Sequence, residues 1–155
     1  MNSIDTPAAT ETGLTPAQRD DLRTIAGMMI PESAEYKVPG ADDQRIQADI
    51  LATLGRDTAR VREALDQIAR LAGAPLAGLD AQRREAVVRD FRSSGGVAAA
   101  TLARVILQCY YRDDRVLRSL NLELRPPFPL GHKLEQGDWS LLDPVKSRPS
   151  MWRRV

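Results

Sequence analysis

Between Thr15 and Leu120 apolar residues recur three and four positions apart, and each such run is opened by a capping residue or closed by glycine or proline. Helical periodicity punctuated in this way leaves little room for a sheet. Thr15-Pro16-Ala17-Gln18 reads as an N-cap, a proline at the first helical position and a capping box. Leu22, Ile25, Ala26 and Met29 supply the apolar face, and Pro31 stops the helix. A second helix is expected from Asp43 to Leu54, with Ile46, Ile50, Leu51 and Leu54 inward and Gly55 behind it as a C′ residue. Asp57 or Thr58 caps a third helix carrying Val61, Ala64, Leu65, Ile68 and Leu71, ended by Gly73 and Pro75. Asp80 opens a fourth, about 81–93, that buries Val87, Val88 and Phe91. After the break Ser93-Ser94-Gly95-Gly96 a fifth runs over about 97–111, with Val97, Leu102, Val105, Ile106 and Cys109 as its stripe. Asp113 or Asp114 caps a short sixth helix with Val116, Leu117 and Leu120. No segment alternates apolar and polar residues as a half-buried strand does. The expectation is an all-α bundle of five or six helices over 14–121, behind a flexible tail at 1–13.

From Leu122 to Val155 this pattern vanishes. The last 34 residues hold five of the ten prolines, yet also both tryptophans and a series of large apolar side chains. A linker that stays disordered is poor in such groups. The reading is therefore an extended, Pro-rich C-terminal arm whose aromatics anchor it, either on this chain's own core or on another protein.

Composition removes whole classes of chemistry. One cysteine excludes an internal disulfide, and one histidine with one cysteine excludes an ordinary zinc or iron–sulfur site. Net charge is only +1, graded from −5 over residues 1–49 to +2 over 50–99 and +4 over 100–155. That polarity suits orientation of a protein partner better than nucleic acid, which calls for a basic domain or stripe. His132 sits in a loop with no rigid partner, so a triad with Ser140 and Asp138 or Asp143 is disfavoured. Cys109 reads as a small buried hydrophobe. Glu32, Glu35, Asp42 and Asp43 lack EF-hand spacing and read as solvated surface. Ser93-Ser94-Gly95-Gly96 lacks the lysine of a phosphate loop. Tyr110-Tyr111-Arg112-Asp113-Asp114-Arg115 fits either an interface or an internal polar network. No catalytic, cofactor-binding or metal-binding residue is assigned.

Met28-Met29-Ile30-Pro31 closing a capped first helix, Gly40-Ala41-Asp42 in the next loop, and Tyr110 to Val116 followed by Pro126-Pro127-Phe128-Pro129 resemble the small third subunit of gluconate 2-dehydrogenase and its relatives, over about residues 14–130. The ending Gly137-Asp138-Trp139-Ser140-Leu141-Leu142-Asp143-Pro144-Val145 is similar to that of a subgroup of these proteins. The resemblance implies a non-catalytic subunit that helps a large FAD-dependent oxidoreductase of the glucose–methanol–choline type fold, load flavin and stay soluble. FAD would lie in the partner, with no cofactor in this chain. The residues expected to anchor that interface are Tyr110, Tyr111, Arg112, Arg115, Phe128, Trp139, Leu142, Met151 and Trp152. The start MNSIDTPAATETG has neither an apolar leader nor the twin arginine of many relatives. A cytoplasmic complex is therefore expected, periplasmic only if the partner carries a signal or the chain is a trimmed form. Neither nucleic acid nor membrane is expected as a partner. The alternative is a stand-alone helical regulator or nucleic-acid-binding protein.

Overall fold

A computed structural model describes residues 13–124, 131 and 136–149. The chain falls into two units, Met1–Leu124 and Arg125–Val155. The described residues form seven α-helices and three 3-10 turns, with no β-strand among them beyond one isolated bridge, Ser33 to Val38. The all-α class expected from periodicity is the observed one.

The first unit is built from α1 (Pro16–Met29), α2 (Gln44–Thr53), α3 (Thr58–Ala72), α4 (Ala81–Ser94), α5 (Gly96–Tyr110) and α6 (Asp114–Ser119). Local chemistry fixes the boundaries. Thr15 Oγ1 accepts the Gln18 N–H while the Gln18 side chain accepts the Thr15 N–H, which closes the capping box. Asp43, Asp80 and Asp113 each cap a helix by accepting backbone N–H groups. Gly73 ends α3 in the left-handed region at φ 69°, a conformation that costs a residue bearing a Cβ.

α3 is the hub. It packs against α1, α4 and α5, while α2 packs against α5. Its inward face of Val61, Ala64, Leu65, Ile68 and Ala72 is buried, as 3.6-residue periodicity requires. α1 adds Leu22, Ile25 and Ala26, and α5 adds Leu102, Val105, Ile106 and Cys109 to the same core. Asp21 is buried beside them and accepts the Leu76 N–H at 3.0 Å, tying α1 to the turn Leu76–Gly78. The acidic loop is stitched inward too. Ala41 is buried, its N–H donates to Ile30 O, and its carbonyl accepts from Gln47 Nε2, both at 2.8 Å.

Several apolar residues expected inside lie elsewhere. Val97 is 69% exposed, because at 100° per residue it falls across α5 from Leu102 and Cys109. Leu71 and Leu120 are exposed at helix ends, one beside the true inward residue Ala72 and the other just past α6. Met29 and Val88 are only partly covered. Neither expected cap of α3 forms a side-chain cap hydrogen bond. The chain enters α3 from a 3-10 turn, Gly55–Asp57, where Thr58 Oγ1 donates to Gly55 O and the Asp57 carboxylate pairs with Arg104 of α5 at 2.8 Å.

The joint between α4 and α5 needs glycine for space. A Cβ on Gly95 would lie 2.7 Å from the Phe91 ring and 2.8 Å from Ala99 Cβ. Gly95→Ala is expected to cost about 1–3 kcal/mol through this overpacking. Gly78→Ala, whose Cβ meets nothing within 4 Å, serves as the control in thermal unfolding. Equal midpoints for the two variants would remove this steric account.

In the second unit the residues Trp139 to Lys146 are wound, where the sequence reading expected extended chain. A 3-10 turn, Trp139–Leu142, leads into α7, Asp143–Lys146. Asp138 caps the turn by accepting the Ser140 N–H at 3.0 Å, and Pro144 stands in the first turn of α7.

Candidate functional site

The Tyr110–Arg115 corner joins α5 to α6 and faces α2. Tyr110 is 4% exposed and belongs to the core, and burial pushes its hydroxyl above the usual tyrosine pKa. Its ring meets that of Tyr111 edge-on, with centroids 5.2 Å apart at 87°. Tyr111 is 52% exposed. Arg115 holds two carboxylates at once. It donates to Asp113 at 2.9 and 3.0 Å and to Asp43, the cap of α2, at 2.7 and 3.2 Å. This guanidinium holds the carboxyls of Asp43 and Asp113 below the usual carboxylate range. Arg112 donates to Asp49 at 2.6 Å and to Thr53 Oγ1 at 2.9 Å, both on α2. Cys109 lies beneath them, and burial raises its thiol pKa, opposite to what a nucleophile needs.

Of the nine proposed anchors, Tyr110 lies in the core, and Arg112 and Arg115 hydrogen-bond within the helical unit while 48% and 31% of their side chains stay exposed. Tyr111 points outward. In the second unit Trp139 is 61% exposed, and Leu141, Leu142 and Val145 are exposed with it. Ser140 Oγ donates to Asp138 Oδ1 at 2.6 Å, a bond internal to the cap. Phe128, Met151, Trp152 and the lone histidine, His132, lie outside the described residues. Among the described residues no group of three or more histidine, cysteine or acidic side chains is placed to hold a metal ion.

A surface that periodicity did not announce lies between α1 and the α4–α5 pair. It is a groove of about 620 Å³. α4 lines it with Glu85, Val88, Arg89 and Arg92. α5 lines it with Ala99, Leu102, Ala103 and Ile106. Phe91 of α4 lines it as well; the other four α4 residues and the four of α5 step i, i+3, i+4, i+7, so each wall is two helical turns long. Met28 and Met29 of α1 form the opposite side. Met28 also lines a second hollow of about 520 Å³, together with Arg23, Arg84, Glu32 and Asp42. Arg84 Nε is buried there with no hydrogen-bond partner, the one such side-chain atom among the described residues. The available signal was an apolar arc on α1 and α4 wider than a core contact needs, in Met28-Met29 and Val87-Val88.

No helix among the described residues is long and apolar enough to cross a membrane. Compared with protein-family models, with curated proteins and with solved structures, the chain finds no match in any of the three.

Proposed function

We propose that this chain is a non-catalytic small subunit that binds and stabilises a large FAD-dependent sugar or alcohol oxidoreductase subunit. The observation that supports a binding role is the run of exposed apolar side chains at Trp139, Leu141, Leu142 and Val145, on a turn capped by its own Asp138. Large exposed apolar groups on a formed element mark interaction surfaces, and tryptophan carries more interface energy than most residues. The flavoprotein identity of the partner rests on the family resemblance of the sequence. The mechanism is one of cover. The small subunit buries apolar surface of the large one, and with it part of its own, so that the large chain holds its cofactor and does not aggregate.

Trp139→Ala is the direct test. As a hot-spot truncation it is expected to weaken the complex by about 2 kcal/mol or more, roughly thirtyfold in Kd. Because Trp139 is exposed, the thermal midpoint of the free chain should not move. Titration of the large subunit with wild-type and W139A chains measures this. Equal affinities would sink Trp139 as an anchor.

A further inference from the structure

We propose that the groove between α1 and the α4–α5 pair is the docking site for an apolar helical segment of a second polypeptide, one that carries carboxylates along its side. The inference deepens the subunit reading and rests on it for the existence of a partner.

The shape argues for a helix. α1 packs on α3, and α4 and α5 pack on α3 and on each other, so a trough is left between α1 and the other two. Its α4 and α5 walls present side chains at i, i+3, i+4 and i+7, the register into which an amphipathic helix lays its own apolar face. The floor is apolar, with Leu102 and Ile106, and the Met28–Met29 wall is of a kind that adapts to a partner's shape.

The charge argues for carboxylates. Arg89 and Arg92 on one rim outweigh the single Glu85. Arg92 makes no ion pair among the described residues, and Arg89 reaches only its neighbour Asp90, at 3.9 Å. Arg84 lines the second hollow and not the groove, and there its buried Nε has no acceptor although Glu32 and Asp42 line the same hollow. Native proteins seldom leave such a donor unsatisfied. An incoming carboxylate that draws the guanidinium toward itself would supply the acceptor, and Arg is suited to take it bidentately.

The test places the photo-cross-linker p-benzoylphenylalanine at Met29, which lines the groove and is 38% exposed, in the full chain expressed in its own host. Illumination should give one dominant cross-link, to a peptide of another polypeptide with apolar residues at helical spacing and an Asp or Glu within one turn of them. R84M should lower the yield at least tenfold. Arg92 is exposed, so R92E should do the same without disturbing the fold and keeps the test valid if R84M misfolds. A cross-link to a peptide of this same chain, the absence of any cross-link, or a yield indifferent to both arginine variants overturns the proposal. Capture of a protein without that peptide chemistry counts against it as well. A flavoprotein that co-purifies yet leaves Met29 unlinked would keep the subunit reading and end this one. An acidic helix from a colourless protein would do the reverse.

Discussion

Ile68→Ala lowers the unfolding free energy of the helical unit by about 3–4 kcal/mol, the largest single loss expected in this chain. Ile68 is fully buried on α3, the helix against which α1, α4 and α5 all pack. Truncation removes three methyl or methylene groups and leaves a void that three neighbouring helices cannot all close. Cavities of this kind cost about 2–5 kcal/mol, and the upper half applies where collapse is hindered. The loss approaches the whole margin of a small domain, about 5–15 kcal/mol. Urea unfolding followed by helical circular dichroism measures it, with Leu71→Ala, partly exposed at the end of the same helix, as reference. A loss below about 1 kcal/mol would mean that α3 is not the hub.

Arg115→Met is expected to cost about 2 kcal/mol at neutral pH, because it removes four charge-assisted hydrogen bonds and strands two carboxylates. Arg112→Met should cost less than about 1 kcal/mol, although its bond to Asp49 is shorter, since that pair is nearly half exposed. The Arg115 effect also carries a pH signature. Its two carboxylates have folded-state pKa values below the unfolded value of about 3.9. Their contribution is fully present above that unfolded value and is lost as pH falls through the lower folded values. Wild-type stability should therefore drop as pH falls below roughly 5 and on through the lowered folded-state values, and the R115M chain should show a shallower drop. Parallel curves for the two chains would mean that this cluster is not what couples α6 to α2.

How much of this was legible in the sequence depends on how local the physics is. Thr15, Pro16 and Gln18 state where α1 begins because a capping box is closed within four residues. Asp43, Asp80, Asp113 and Gly73 do the same for other boundaries. The period of the apolar residues gives the inward face of α3 almost completely. Coverage is not local, however. Val87 is buried and Val88 lines a groove because α1 stands away from α4, a fact about three helices that one helix's pattern does not contain. The roles of Arg112 and Arg115 were likewise open, since their partners lie 63 and 72 residues away. The turn and short helix over 139–146 went unread for the opposite reason. Its signals, Asp138 as cap and Pro144 at a helix start, were present but sit in a proline-rich stretch whose composition dominated the reading. The exposed Trp139 and Leu142 keep their place as proposed anchors, and Tyr110 leaves the surface for the core.

The most direct measurement is affinity purification of the tagged full chain from its own host, with a visible absorption spectrum of the eluate and the masses of its components. The expected result is a stoichiometric large subunit, the two-banded absorption of an oxidised flavin, and loss of both when Trp139 is replaced. A colourless monomer of 17.1 kDa, recovered under the same conditions from wild-type and variant alike, would contradict it.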